Sequence, residues 1–246
     1  QYQDALDTWL ITGNDDYELV KDAGGTTQRL DYNASILFDP EGNRVRTYRK
    51  LRLVPFTEYF PWKEELPGLY SWLEQRDVYF WEPGRERVVF AHPEFRFSTP
   101  ICFEDAFPDG VRSFVRQGAE VIVNMSNDYW SLSEVEGVQH GVNAFFRAVE
   151  NRVPLVRASA SGLTGYVDTA GRLVATVPFY QEQYLVVDVE VKEPTLTLYT
   201  RFGDWFPKLL LGLFDVRNVA DHHHRLQGTA LLVTDHGAIG LPYEGG

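Results

Sequence analysis

Sulfur is scarce in this chain. One cysteine and one methionine occur in 246 residues. A single thiol rules out an internal disulfide and leaves the redox compartment open. Long apolar runs are missing too. The longest near the C-terminus, FPKLLLGLF at 206–214, falls far short of the ~20 residues that span a bilayer. The N-terminal QYQDALDTWLITG has neither the basic stretch nor the long apolar core of a secretory leader. Basic charge is in deficit: the net charge is −12, with no long run of either sign. That argues against a nucleic-acid partner and against strong attraction to anionic lipid. The three histidines His222–His224 have no nearby cysteine or second spaced histidine, so they do not form a metal-site pattern.

What is present builds a core. Hydrophobic residues make up 44% and aromatics 14%, a globular composition rather than a disordered one. The length suits one large α/β domain or two small ones. No repeat and no linker precedes about residue 215. Residues 1–214 therefore read as one domain, and 215–246, which lose periodicity, as a tail. The first residues already resemble the middle of a domain, which implies a fragment.

Short strands dominate the pattern. TWLITG (8–13), YNASILFD (32–39) and NRVRTYRK (43–50) read as strands, the last two a hairpin around PEGN. LRLVPFTEYFPW, broken by Pro55 and Pro61, is a shaped loop. KEELPGLYSWLEQ is a short helix, and RERVVFAHPEFRFSTPICFE reads as two strands around a His-Pro turn. DGVRSFVRQG is a helix ending at Gly118, and AEVIVNMSND a buried strand. Between Ser133 and Arg152, apolar residues at 138, 142, 145, 146 and 149 keep helical spacing. PLVRASASG, TGYVDTAG, RLVATVPF and QYLVVDVEV follow as strands. The mixture predicts layered α/β architecture, with sheets covered by helices.

Four stretches carry side chains suited to chemistry. Cys102 sits where the strand FRFSTPIC runs into an acidic turn and then Pro108. Either it packs as a small hydrophobe, or it is a nucleophile at the strand end, with helix amides favouring its thiolate. Glu104 is close enough to bond within the same loop. In YRKLRLVPFTEYFPW, Lys50 and Glu58 are either a surface ion pair or a lysine held by a carboxylate beside the thiol. A fixed ammonium there would stabilise both thiolate and oxyanion. In VIVNMSNDYW, Asn124, Ser126, Asn127 and Asp128 either make a turn or floor a pocket. His140 is expected to pack or cap on its helix rather than act as acid or base.

Together these segments resemble the nitrilase (carbon–nitrogen hydrolase) superfamily, whose members use a Glu–Lys–Cys triad. YRKLRLVPFTEYFP is similar to its lysine motif, TPICFEDAFP to its cysteine motif, and NMSNDYW to the strand and loop beyond. Within it, LVPFTEYFP, SNDYW, the run QH…RAVENRVPLVRASASGLTGYVDTAG and TLYTRFGDW resemble the apolipoprotein N-acyltransferase branch. The likeness covers roughly 8–210. It implies a four-layer α-β-β-α sandwich, no metal or organic cofactor, and acyl transfer through a cysteine thioester. Implied partners are a phospholipid acyl donor and a diacylglyceryl apolipoprotein acceptor. The implied setting is a periplasm-facing domain of the bacterial inner membrane, held there by segments outside this chain.

Carried over by motif, Cys102 is the nucleophile and Lys50 the triad lysine. Glu58 positions Lys50, Glu104 is a further acid of the cysteine motif, and the Phe103 backbone amide helps form an oxyanion hole. Tyrosine is common in the family where Phe103 stands, but the amide role survives the change. The triad glutamate normally follows an earlier strand, so it is expected upstream of Gln1. Asp16 and Glu18 follow a different strand and are not given that role. Two rivals remain: a soluble amidase using the same triad with water, and an inactive truncated domain.

Overall fold

The structure, a computed structural model, describes residues 7–21, 24–76, 78, 80–193, 195–213, 231–234 and 237–240. His222–His224 and most of the 215–246 tail lie outside these residues. The chain divides into two compact units, Gln1–Gly203 and Asp204–Gly246. The second contains helix α5 (Trp205–Leu213) and an antiparallel hairpin of β10 (Leu231–Thr234) and β11 (Gly237–Gly240).

The first unit holds two sheets. A three-stranded antiparallel sheet is ordered β1 (Leu10–Lys21), β2 (Thr27–Phe38), β3 (Arg44–Arg49). The expected hairpin joins β2 to β3, with Gly42 at φ 81° and its N–H donating to Asp39 O. The second sheet has six strands in sequential order. They are β4 (Val89–Ala91), β5 (Arg96–Ser98), β6 (Val121–Asn127), β7 (Leu155–Ala160), β8 (Thr164–Val167) and β9 (Leu173–Val177). Only β5, β6 and β7 run parallel, and each parallel step needs a crossover. Helix α2 (Pro108–Arg116) makes the first and α3 (Glu134–Asn151) the second.

Burial follows from this layering. Val111 and Val115 of α2 and Ala144 and Ala148 of α3 pack on Ile122, Leu155 and Val167 of the large sheet. A second cluster joins the sheets, with Leu37 and Tyr48 of the small one against Phe90, Phe97 and Val121 of the large one. Helix α4 (Leu198–Phe202) locks onto the helical layer, Thr200 Oγ1 donating to Asn151 Oδ1 at 3.0 Å. Helix, sheet and sheet are thus stacked, an α/β nitrilase-like sandwich.

Two expectations are corrected. The first strand is twice as long as TWLITG suggests, so Asp16 and Glu18 lie on β1 rather than after it. Edge strand β1 tolerates these acids because Arg44 and Arg49 on β3 pair with them. QYLVVDVEV is not a strand. Its burial does alternate, and Val189 and Val191 pack on the core between the sheets. A strand also needs a hydrogen-bonded neighbour, and this segment has none among the described residues.

Candidate functional site

The three parallel strands end on one side, and the cysteine motif lies there. α/β sheets bind ligands in the crevice beyond the carboxyl ends of such strands. Ile101 makes a last bridge to Met125, and the chain then tightens into a 3-10 turn, Cys102–Ala106. Cys102 enters it at φ +50°, a left-handed conformation costly for a side chain with a Cβ and typical of functional turns. The turn is held from below: Asn124 Nδ2 donates to both Pro100 O and Cys102 O at 3.1 Å. The first intra-turn bond is Glu104 N–H to Ile101 O. Phe103 N–H precedes that bond and is one of the donors a helical turn leaves without an internal partner.

Glu104 joins this turn to the lysine loop. Its carboxylate accepts from Ile101 N at 2.8 Å on one side and from Leu51 N (2.8 Å) and Arg52 N (3.0 Å) on the other. Tyr48 Oη adds a bond at 2.9 Å. Burial pushes the Glu104 carboxyl above the usual range, and the three backbone donors and Tyr48 pull against it. Lys50, the residue before Leu51, is fully buried. Its ammonium lies 2.7 Å from both oxygens of Glu58. Glu58 is itself fixed by Val54 N at 2.8 Å and Asn33 Nδ2 at 3.2 Å. Glu58, Cys102 and Phe103 line one cavity of about 1220 Å³, with Trp81, Trp130 and His140.

Below the cysteine lies a group of charges that the sequence did not announce. Arg157, on β7, is buried and contacts Asp105 and Asp128. His140, from α3, faces the same two acids, Nδ1 to Asp128 Oδ1 at 3.0 Å and Nε2 to Asp105 Oδ1 at 3.3 Å. Burial opposes charge on His140, but the two carboxylates outweigh it and push its pKa up to about 10. Burial also acts against ionised Asp128, yet His140, Ser126 and Arg157 hold its carboxyl far below the normal range. Gly162 presses on this group: a Cβ there would stand 2.0 Å from Asp128 Oδ2.

His140 thus does more than pack or cap, and Asp105 and Arg157 were overlooked. One signal was available. Arg157 sits in the apolar strand LVRASA, where a charged residue needs a buried counter-charge. Ser126 and Asn127 line the cavity as expected of a pocket floor, while Asn124 and Asp128 are buried behind it. Asp16 and Glu18 belong elsewhere, to a polar pocket with Arg44 and Arg49.

The free Cys102 thus stands on a tight turn, over buried charges and beside the cavity. Residues 4–197 match the carbon-nitrogen hydrolase family, and the chain belongs to that family. Solved structures of the same fold include a carbon–nitrogen hydrolase of Helicobacter pylori G27, with a TM-score of 0.53 at 19% identity over 73% of this chain and 61% of that one. Saccharomyces cerevisiae Nit3 gives a TM-score of 0.51 at 22% identity, over 73% and 59%.

Curated relatives in sequence are bacterial. Apolipoprotein N-acyltransferase 1 of Treponema denticola is 44% identical over 184 residues, 73% of this chain and 34% of that protein. Its namesake in Treponema pallidum is 42% identical over 207 residues, 82% and 38%. The enzyme of Chlorobaculum tepidum is 36% identical over 196 residues, 75% and 36%. The chain spans little more than a third of these relatives' length. No helix among the described residues is long and apolar enough to cross a membrane.

Proposed function

We propose that this chain is the acyl-transferring domain of an apolipoprotein N-acyltransferase. The observation that carries the reading is the 44% identity to a relative of that name over 184 residues; the lysine and cysteine motifs lie within residues 4–197, which match the family. In the proposed reaction Cys102 Sγ attacks the ester carbonyl of a phospholipid. The Lys50 ammonium and the Phe103 amide stabilise the tetrahedral oxyanion, a role in which one donor is worth about 10²–10³-fold. The lysophospholipid leaves and a thioester remains. The α-amine of a diacylglyceryl cysteine on an apolipoprotein then attacks the thioester, releasing the thiol. A general base takes the thiol proton at the start and passes it to the leaving group. Glu58 is engaged with Lys50, and Glu104 with four donors, so neither is given that role.

The same reading puts the domain at the periplasmic face of a bacterial inner membrane, anchored by segments outside this chain. Exposed aromatic side chains fit a lipid donor: Trp130 lines the cavity, and Phe56 stands between the lining residues Val54 and Thr57. The test is to incubate the protein with a phospholipid in detergent and look by intact mass for a hydroxylamine-sensitive acyl group on Cys102. Transfer to a diacylglyceryl peptide should follow. Hydrolysis of small amides with no phospholipid-derived acyl-enzyme would overturn the reading in favour of a hydrolase.

A further inference from the structure

The cavity that holds Cys102 is short of cations. Asp15, Glu58 and Glu136 line it, and no lysine or arginine among the described residues does. Lys50 is fully buried behind it, bonded to Glu58. His140, also on the wall, faces Asp105 and Asp128. A phosphodiester anion carried into this space would meet carboxylates and no free counter-charge, a costly burial. The cavity therefore suits the ester and acyl chain of a phospholipid, while the phosphate is left at the rim. A cation is available there. Phe103 lines the cavity and is 39% exposed, and Phe107 packs edge-on against it at 5.0 Å. The Arg52 guanidinium lies over the Phe107 ring, 4.2 Å from its centroid. Arg52 is exposed, and among the described residues its guanidinium meets no carboxylate and no other hydrogen-bond acceptor. By contrast, Lys63 of the same loop is matched by Glu82, and Arg112 of the helix after Phe107 by Asp109.

We propose that Arg52 is a specificity-determining residue for the acyl donor, its guanidinium binding the phosphodiester of the lipid whose ester Cys102 attacks. This deepens the acyl-transfer reading and rests on it. Two features suit Arg52 to the task. Its place is fixed relative to the thiol: the Glu104 carboxylate accepts from Arg52 N at 3.0 Å and from the N–H of Ile101, the residue before Cys102, at 2.8 Å. Its side chain is steadied by a cation–π contact with Phe107, while its N–H donors have no protein acceptor. A guanidinium makes two parallel bonds to a phosphate, which a lysine ammonium does not. In a glycerophospholipid only a few bonds separate an ester carbonyl from the phosphorus. With the carbonyl at Cys102, the phosphate falls by the aromatic pair beside the thiol, where Arg52 stands. A neutral diacylglycerol offers the same esters and no group for Arg52.

The test compares two donors with the same acyl chains, dioctanoyl phosphatidylglycerol and dioctanoylglycerol, in one detergent. The rate at which each acylates Cys102 is followed by intact mass. The unmodified chain should prefer the phospholipid. Arg52→Gln should cut that preference about tenfold or more, the factor carried by one hydrogen bond to a charged group. The loss should fall on the half-saturating concentration rather than on the limiting rate. Arg52→Lys, which keeps the charge but not the fork, should restore part of the preference. A preference unchanged in Arg52→Gln overturns the proposal. A merely structural role would slow both donors alike, and that result overturns it too. Binding is read separately by phosphorus NMR, titrating dihexanoyl phosphatidylglycerol into Cys102→Ser with and without Arg52→Gln. The affinity should fall about tenfold with the second change, and equal affinities count against the phosphate site. Inorganic phosphate at the same concentration should not displace the lipid; displacement would reveal a general anion site and overturn the donor role. If lipid binding depends on Arg52 but no acyl-enzyme forms in the unmodified chain, the acyl-transfer reading fails and the phosphate site stands. If the acyl-enzyme forms and the preference ignores Arg52, the converse holds.

Discussion

Two regions meet at the cavity and are built on opposite principles. The cysteine turn rests on buried charge: Glu104, Asp105, Asp128 and Arg157 are all inside, each with defined partners. The loop from Val54 to Glu82 is built from rings. Tyr70 stacks on Phe80 at 5.4 Å and Phe60 lies tilted against both at 6.3 Å, while Phe56, Trp62 and Trp72 are about half exposed. Helix α1 (Pro67–Glu74) in that loop buries none of its residues. Buried ion pairs cost desolvation but fix geometry, and losing one partner is severe. Apolar contacts on an open loop are individually weak and can re-form around different ligands. On the proposed reading, the buried turn is a fixed reacting centre and the aromatic loop an adaptable rim.

The largest effect expected is at the reacting atom. Cys102→Ser should abolish thioester formation from phospholipid while leaving the fold intact, as read by acyl-enzyme mass and circular dichroism. Normal labelling of that variant would remove the centre from this side of the comparison altogether. Next comes Lys50→Ala. Loss of an oxyanion donor predicts a fall in kcat of about 10²-fold or more, and the same change strands the largely buried Glu58. Acyl transfer within a few-fold of wild type would show that Lys50 serves the fold alone.

Glu104→Ala tests whether the turn and lysine loop are one mechanical unit. It leaves Tyr48 Oη and three backbone N–H groups without their acceptor, at about 1–3 kcal/mol for each buried group left unsatisfied. The urea midpoint should drop accordingly. Retention of the wild-type midpoint would mean that water or another group replaces the carboxylate.

Two linked groups give a pH signature. The folded pKa of His140 is raised to about 10. Its stabilisation is therefore complete below the unfolded value near 6.5 and is lost as pH rises to about 10. The folded pKa of Asp128 is lowered, so its contribution is present above its unfolded value near 3.9 and is lost as pH falls. Unfolding free energy should decline between pH 7 and 10, and His140→Gln should flatten that limb. An unchanged slope in the variant would place the high-pH loss elsewhere. The smallest effect belongs to the rim: Trp62→Ala should shift stability by about 0.5 kcal/mol or less, as for other surface changes. It should raise KM for long-chain donors more than for short ones, and equal changes for both would deny the rim a part in binding lipid.

Local pattern made most of the elements legible. The strands around Ala34, Ile122 and Val156, the helix ending before Gly118 and the long helix from Glu134 all follow from apolar periodicity and turn residues, which act over a few neighbours. The motifs holding Lys50, Glu58, Cys102 and Glu104 were also readable. What could not be read is pairing at a distance. QYLVVDVEV carries a strand's alternation, but only the tertiary arrangement decides whether a neighbour offers hydrogen bonds. The extent of β1 was hidden because its acids Asp16 and Glu18 look like loop until Arg44 and Arg49 are set opposite them.

By itself, then, the sequence determined the periodicities, the turn chemistry and which residue types were available for a cysteine-centred site. The tertiary structure decided which charges share a dry interior. Glu104 spans 53 positions to reach Leu51, and Arg157 spans 52 to reach Asp105. His140, on its own helix, is an ordinary imidazole; between Asp105 and Asp128 it becomes a cation. Charge is set by desolvation and by neighbours within a few ångströms, and only the folded chain defines both.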